Sequence, residues 1–278
     1  MEYRTIKYDP GPIARVKLNR PEKLNAQSWM MLLEMDDAFN KAIADPECSV
    51  IILSGEGRAF SAGHDLDSAD QLEDRRKRAA GLSGFASTGL SRDIYVDMHL
   101  RWRDLPKPTI AMVHGYCIFG GWMIASAMDF IFASEDALLI PTYGDYMTTS
   151  WDLGARKAKE ILYENTFMTA QEAMKWGFVN RVYPTVDLEK ETLKYASRVV
   201  ETGRFYCRTV KFAINQTLDM QGFSTSVRAV GEYFIRTDPT QPPAQGVPGA
   251  RPDSRFRGLS TRAMQYLRED QGKFNSMK

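Results

Sequence analysis

The chain has 278 residues, of which 44% are hydrophobic and 26% are charged, and its formal net charge is +1. This length and composition predict a globular protein with one domain and an appendage. The near-neutral charge gives no electrostatic reason to expect a nucleic acid or a membrane surface as the main partner.

Two further features bear on where the protein works. The three cysteines, Cys48, Cys117 and Cys207, are too few and too widely spaced for a disulfide framework or a metal-binding pattern, which favours a reducing compartment. The N-terminus carries acidic residues and lacks the apolar core of a signal peptide. No apolar run approaches the roughly 20 residues of a membrane helix, so we expect a cytoplasmic protein.

Strands and helices alternate along the first two thirds of the sequence. Residues 6–8 and 13–18 alternate in polarity around DPGP, which predicts a hairpin, and residues 27–44 have apolar positions at helical spacing. Repeated strand-then-helix units predict an α/β layered core. The further predicted strands are 49–54, 109–113 and 130–133, and the further predicted helices are 121–128, 153–164 and 169–176.

The pattern changes near residue 186, after which it is helical and without predicted strands. Residues 237–258 are rich in proline, glycine and arginine, and a loop of that length is uncommon inside a compact domain. We expect this loop either to be flexible or to wrap on a neighbouring molecule. The chain is accordingly divided into a core of residues 1–185 and a helical region of residues 186–278.

Two glycine-bearing stretches are the main functional signal. FSAGHDL at residues 60–66 follows the predicted strand at 49–54, and HGYCIFGGW at residues 114–122 follows the predicted strand at 109–113. Glycine lets a backbone approach a ligand closely, and two such corners can aim main-chain N–H groups at one point. A pair of aimed N–H donors is suited to stabilising an oxyanion.

These stretches belong to a larger set of motifs that resembles the crotonase (enoyl-CoA hydratase/isomerase) superfamily from about residue 5 to residue 235. The resemblance implies an α/β fold that is a spiral of ββα units, followed by a C-terminal helical region that builds trimers, commonly paired into hexamers. The matching motifs are LNRPEKLNA at 18–26, FSAGHDL at 60–66, KPTIAMVHGY at 107–116, DFIFA at 129–133 and TAQEAMKWGFVNRV at 169–182.

The same resemblance implies a chemistry, in which two backbone N–H groups stabilise the enolate of a coenzyme A thioester. Matched by position, the donors are the main-chain N–H groups of His64 and Gly120. The imidazole of His64 is then a pocket wall or, alternatively, a base. The implied activity is that of an enoyl-CoA hydratase or isomerase of fatty acid metabolism, with an acyl-CoA substrate and no metal or other cofactor.

The resemblance also implies a binding passage for coenzyme A. Residues matching positions along the pantetheine and adenine are Lys23, Leu24, Ala26, Ala62, Asp65 and Leu66, and the expected phosphate contact from the C-terminal helix of a neighbouring subunit is Arg268. An alternative role for Asp65, compatible with ligand contact, is the N-cap of the following helix.

The sequence departs from the family where its hydratases carry two glutamates. Two carboxylates suit hydration because they orient a water molecule and exchange its protons. Here the two positions fall on Met123 and on or near Tyr143. Methionine transfers no proton, and Tyr143 is either a pocket wall or an acid.

Other polar residues lie close by in the sequence and leave the reaction open. Asp145 is either catalytic or part of a solvated turn, and Asp152 is either catalytic or the N-cap of a helix beginning near residue 153. His99 is either near the thioester or packed on a helix face. The alternatives are therefore an acyl-CoA hydrolase or C–C lyase that uses an aspartate, and a crotonase-fold protein that binds acyl-CoA without catalysis.

Overall fold

The computed structural model describes residues 2–66, 68–82 and 85–237, and beyond them only five residues of a C-terminal segment: Ala263, Gln265, Tyr266, Arg268 and Glu269. Nearly all of the proline- and glycine-rich stretch at 237–258 therefore lies outside the described residues. The division of the chain near residue 186 stays a prediction.

The strands in the described part of the chain form two sheets. They are β1 (Ile6–Asp9), β2 (Ile13–Leu18), β3 (Val50–Gly55), β4 (Ala59–Ser61), β5 (Thr109–Val113), β6 (Tyr116–Ile118), β7 (Phe130–Ser134), β8 (Leu138–Ile140), β9 (Met168–Thr169) and β10 (Arg181–Tyr183). One sheet has the order β1-β2-β3-β5-β7-β10 and the other has the order β4-β6-β8-β9. Among the strand pairs of the described residues, the β1–β2 hairpin and the β8–β9 pair are antiparallel and the others are parallel.

Helices follow the strands in a repeating pattern. The described helices are α1 (Trp29–Ala44), α2 (Ala69–Arg78), α3 (Phe85–Arg92), α4 (Met98–Arg103), α5 (Gly120–Ser126), α6 (Thr149–Leu153), α7 (Ala155–Glu164), α8 (Ala170–Lys175), α9 (Leu188–Thr202), α10 (Arg204–Met220) and α11 (Phe223–Thr237). A π-helical turn, Asp93–Asp97, joins α3 to α4. The groups β3-β4-α2, β5-β6-α5 and β7-β8-α6 each put one strand in each sheet, which confirms the predicted spiral of ββα units.

The central strands of the larger sheet, β3, β5 and β7, are buried on both faces, which explains why they are continuous apolar runs rather than alternating ones. Val50 and Ile52 of β3 pack on the face covered by α9, while Ile51 and Leu53 face the main core. Because side chains alternate along a strand, one four-residue run supplies both cores. The predicted strands at 49–54, 109–113 and 130–133 are confirmed.

Helix boundaries depend on caps that the apolar pattern does not show. The predicted helix at 27–44 begins at Trp29, because Ser28 is extended and its hydroxyl accepts from the Met31 N–H. The predicted helix at 153–164 is two helices, α6 and α7, separated at Gly154, which has a φ of +74°. The helix after the second glycine stretch is Gly120–Ser126 rather than 121–128.

Gly115 allows the chain to pass from the larger sheet to the smaller one. Its φ is +55°, and a Cβ there would lie 2.2 Å from the carbonyl oxygen of Arg58. Gly177 offers a matched comparison, since its φ is +90° but a Cβ there would meet nothing within 4 Å. Backbone strain is therefore common to both positions, and the steric clash is specific to Gly115.

We expect Gly115→Ala to lower the free energy of unfolding by about 1–3 kcal/mol more than Gly177→Ala, because only the first substitution adds overpacking to the strain. Urea denaturation of the two variants and the unmodified protein measures this difference. Equal losses for the two variants would show that the passage between the sheets relaxes around a methyl group.

Candidate functional site

The candidate site lies where three neighbouring parallel strands of the smaller sheet end. The order β4-β6-β8 places β6 in the middle, and the segments that follow the three strands include residues 62–66, 119 and 141–148. The carboxyl ends of parallel strands meet at one edge of a sheet, so these segments come together there. The first two segments belong to the two glycine stretches, and the third contains Tyr143 and Asp145.

The two glycine stretches are in direct contact. Gly63 has a φ of +94°, and a Cβ there would lie 2.8 Å from the Ile118 carbonyl oxygen and 3.2 Å from the Gly120 nitrogen. A Cβ on Gly120 would lie 2.8 Å from Cδ2 of His64. Only residues without a side chain allow this approach, which brings the His64 and Gly120 corners into one small site.

Gln27, which the sequence analysis did not select, holds the first corner. Its N–H donates to the Gly63 carbonyl at 2.7 Å, and its carbonyl accepts from the Asp65 N–H at 2.9 Å. In this parallel bridge the main-chain groups of His64 point away from Gln27. The Gln27 side chain donates to Ser61 Oγ at 3.0 Å, and Ser61 Oγ accepts from the Gly63 N–H at 3.2 Å.

The second corner is strained. Phe119 has φ 45° and ψ −99°, values that side chains disfavour, and its N–H donates to the Ile140 carbonyl at 2.9 Å. Among the described residues, none accepts a hydrogen bond from the Gly120 N–H. The corner thus presents a main-chain donor to the space beside His64.

The His64 imidazole faces a carboxylate. Its Nδ1 lies 3.9 Å from Oδ2 of Asp145, and only 17% and 11% of the two side chains are exposed. The ring also packs against Tyr95 with a centroid separation of 4.5 Å, and Tyr95 accepts from Trp29 Nε1 at 2.7 Å. His64 and Asp145 therefore form a largely buried pair of titratable side chains, and the His64 ring lies next to Gly120.

Asp145 is fixed by helix α11, which no motif singled out. Asp145 has a left-handed φ of 49° and is 8% exposed, so it is not part of a solvated turn. A Cβ on Gly231 of α11 would lie 2.9 Å from the Asp145 carbonyl oxygen and 2.5 Å from Cγ2 of Val96. The missing side chain of Gly231 lets α11 press the Asp145 loop towards the π-helical turn.

The two positions where glutamates were expected are apolar or aromatic in character. Met123 is 1% exposed and belongs to the main core. The Tyr143 ring is half-buried, lying 5.3 Å from Phe119 and 5.7 Å from Phe234 in edge contacts. Tyr143 thus forms part of an aromatic wall that joins the strained corner to α11.

The structure overturns one of the two roles that the sequence left open for Asp152. Asp152 lies inside α6, so the expectation of an N-cap near residue 153 is wrong. Its Oδ2 accepts from Trp122 Nε1 at 2.8 Å and from the Thr148 hydroxyl at 2.7 Å. Burial raises the pKa of its carboxyl to about 7, although both hydrogen bonds favour the charged form.

The residues expected along coenzyme A come from two segments that touch. The Ala62 N–H donates to the Leu24 carbonyl at 2.9 Å, which joins residues 23–26 to residues 62–66. Leu66 is 54% exposed, and Lys23 and Arg268 are exposed. The side chains of Lys23 and Leu66 are therefore exposed on the two joined segments. Arg268 lies on the separate C-terminal segment.

Asp65 is buried and forms an ion pair rather than a helix cap. Its Oδ2 lies 2.8 Å from Nη1 of Arg20, and the N-cap of α2 is Ser68. The alternative role that we considered for Asp65 is therefore wrong. Burial alone would raise the pKa of the Asp65 carboxyl, but hydrogen bonds from Ser68 and Arg20 outweigh it and hold the pKa below its usual range.

The described residues contain neither a candidate metal site nor a candidate membrane-spanning helix. No group of three or more histidine, cysteine, aspartate or glutamate side chains is arranged to hold a metal ion there. In the same part of the chain, no helix has the length and apolarity needed to cross a membrane.

Known proteins are similar to this chain in sequence and in architecture. A family model described as enoyl-CoA hydratase/isomerase matches residues 9–230. The Mycobacterium tuberculosis protein EchA13, provisionally named an enoyl-CoA hydratase, is 37% identical over 246 residues, which are 82% of this chain and 77% of that protein.

Two solved structures extend the comparison. The crystal structure of a probable enoyl-CoA hydratase from Mycobacterium thermoresistibile is 39% identical with a TM-score of 0.72, covering 82% of this chain and 95% of that one. The crystal structure of an enoyl-CoA hydratase/isomerase from Xanthobacter autotrophicus Py2 is 27% identical with a TM-score of 0.78, covering 100% of this chain and 99% of that one.

The raised pKa of Asp152 generates a prediction about stability. A carboxyl whose pKa is raised on folding binds its proton more tightly in the folded state, so its ionisation destabilises the protein as the pH rises from about 4 to about 7. Asp152→Asn removes this ionisation. We compare the unfolding free energy of Asp152→Asn with that of the unmodified protein at each pH. We expect the difference in favour of the variant to be larger at about pH 8 than at about pH 5 by at least about 1 kcal/mol.

Urea denaturation at the two pH values measures this gain. Asp9→Asn, on the exposed end of β1, is the control and should show no pH-dependent difference. A constant difference between Asp152→Asn and the unmodified protein would contradict the raised pKa.

Proposed function

The chain belongs to the enoyl-CoA hydratase/isomerase family of the crotonase superfamily, and from that premise we propose that it stabilises the enolate of an acyl-CoA thioester with the N–H groups of His64 and Gly120. The observation that carries the proposal is the direct contact between the two glycine corners, where a Cβ on Gly63 would lie 3.2 Å from the Gly120 nitrogen. Two main-chain donors that converge in a water-poor site stabilise a developing oxyanion without having to reorganise.

The acid–base group of this proposal is the His64–Asp145 pair. Neither Met123, which is in the core, nor Tyr143, which is in the aromatic wall, is a carboxylate. The His64 ring lies beside Gly120, where the carbon next to a bound thioester carbonyl would lie, and Asp145 lies 3.9 Å from His64. The pair transfers a proton to or from that carbon, which is the step that hydration and isomerisation share.

The aspartate-dependent alternatives have less support. A nucleophilic aspartate must reach the substrate, whereas the Asp152 carboxyl is held by hydrogen bonds from Trp122 and Thr148. Asp145 instead lies beside an imidazole, an arrangement suited to proton exchange. Binding without catalysis has no observation in its favour beyond the missing glutamates.

Coenzyme A is proposed to lie along the joined segments 23–26 and 62–66. The proposal is supported by the Ala62–Leu24 hydrogen bond, which makes one continuous backbone surface, and by exposed Leu66 beside it. Lys23 and Arg268 are exposed cations that would hold the phosphates, and Asp65 with Arg20 forms the rigid base of the passage. The proposed reaction needs no metal or cofactor other than the thioester itself.

We further propose that the protein is a homotrimer or a homohexamer of the cytoplasm. Helix α10 has no buried residue, yet it carries large apolar side chains at its surface: Phe205, Tyr206, Val210, Phe212, Ile214 and Met220. An exposed apolar face of this size is typical of an interface between subunits. The free thiols Cys48, Cys117 and Cys207 are suited to a reducing compartment.

Removing one main-chain donor tests the oxyanion site. Proline has no backbone N–H, so Gly120→Pro should lower turnover of a short enoyl-CoA by about a hundredfold or more relative to Gly120→Ala, which adds the same Cβ beside His64 but keeps the N–H. Steady-state kinetics measure the loss, and thermal melting with calorimetric titration of coenzyme A checks that the variant is folded and binds. Unchanged turnover in a folded variant would overturn the assignment of Gly120.

Asp145→Asn tests the acid–base pair, and Asp152→Asn is its matched control. We expect Asp145→Asn to lower kcat by about a hundredfold or more with little change in KM, because the amide accepts no proton. Asp152→Asn should keep its turnover, since Asp152 contacts Trp122 and Thr148 rather than the proposed substrate site.

Mass analysis of the products separates the alternatives in the same assays. A hydroxyacyl-CoA or an isomerised enoyl-CoA agrees with the proposal, whereas release of free coenzyme A would show a hydrolase. Full activity of Asp145→Asn would remove Asp145 from the mechanism.

A further inference from the structure

A second pair of polar side chains, His99 and Tyr146, lies close to the His64–Asp145 pair and has no role in the proposed mechanism. The His99 and Tyr146 side chains are fully buried, at 0% exposure, and their rings stack with centroids 5.3 Å apart and an interplanar angle of 29°. Among the described residues, neither ring nitrogen of His99 nor the hydroxyl of Tyr146 has a hydrogen-bond partner. A buried polar atom left without a partner is destabilising, so two stacked side chains that both carry such atoms indicate a missing ligand.

The position of this pair links it to the candidate active site. Tyr146 is the residue after Asp145, and the His64 imidazole is close enough to help lower the pKa of His99. The other face of the His99 ring packs on Trp102, with centroids 4.7 Å apart. His99 follows the π-helical turn Asp93–Asp97, and such turns occur frequently at functional sites.

The protonation states of the pair define what it can bind. Burial, assisted by His64, lowers the pKa of His99 to about 3, so the ring is neutral and has one N–H donor and one acceptor nitrogen. The Ile94 carbonyl faces the ring and acts to raise the pKa of His99, which opposes the effect of burial. The contact lacks the geometry of a hydrogen bond. Burial also raises the pKa of the Tyr146 phenol, which keeps its proton.

A neutral partner fits these two groups best. An ion would need an opposite charge at this depth, and neither ring supplies one. A hydroxyl group both donates and accepts, as the imidazole and the phenol each do. One hydroxyl therefore satisfies a donor from one ring and an acceptor on the other.

We propose that His99 and Tyr146 form an internal site for one hydroxyl group, supplied by the acyl chain of the substrate and otherwise replaced by a water molecule. This proposal rests on the proposed function, since it requires an acyl-CoA held between His64 and Gly120. It assigns to this chain a preference for acyl groups that carry a hydroxyl substituent at the depth of the Tyr146 ring.

Calorimetric titration with matched pairs of saturated thioesters tests the preference without turnover. The probes are octanoyl-CoA against its hydroxyoctanoyl-CoA positional isomers, and phenylacetyl-CoA against para-hydroxyphenylacetyl-CoA. We expect at least one hydroxylated member to bind about tenfold more tightly than its parent, because the parent leaves the buried groups without a partner or retains a water molecule.

Two variants locate the preference. Tyr146→Phe deletes one oxygen atom and His99→Phe keeps an aromatic ring, so each should remove the preference while leaving the parent thioester bound within about twofold. Tyr183→Phe, on β10 in the larger sheet, is the control and should retain the preference. A preference that survives in both Tyr146→Phe and His99→Phe would overturn the proposal.

The outcomes also separate this proposal from the proposed function. Equal binding within every pair would mean that water alone occupies the site, which overturns the acyl preference and leaves the thioester site intact. Failure to bind any of the thioesters would overturn both together.

Discussion

The contact between Gly63 and Gly120 is the constraint on which the rest of the site depends. A methyl group at Gly63 would lie 2.8 Å from the Ile118 carbonyl oxygen, so the ends of β4 and β6 approach each other only because this position has no side chain. Gln27 and Ser61 hold one corner by hydrogen bonds, and Phe119 holds the other in a strained conformation. A strained backbone conformation of this kind persists only where the surrounding contacts hold it in place.

The polar half of the site depends on a distant part of the chain. Asp145 comes after β8, yet its conformation depends on α11, where Gly231 allows contact with the Asp145 carbonyl and with Val96. The same helix contributes Phe234 to the aromatic wall against Tyr143. The candidate site is thereby assembled at the C-terminal edge of the smaller sheet from loops and a helix that are remote in sequence.

The fold was predictable because its signals are local. The apolar runs of β3, β5 and β7 are buried on both faces, so they are continuous and easily found. The short strand β8 and the break between α6 and α7 were not predicted, because a three-residue strand and a single glycine leave little pattern. Asp152 was misplaced for the same reason, since it lies one turn inside a helix that begins earlier than expected.

The sequence by itself determined the family, the ββα order and the two glycine corners, since each is a short motif that requires a given backbone wherever the chain folds. Only the tertiary structure decided which side chains face the site. The pairing of His64 with Asp145, the ion pair of Asp65 with Arg20, and the burial of His99 against Tyr146 each join residues from separate loops or helices. Their distances and protonation states follow from packing and desolvation, which no spacing along the sequence encodes.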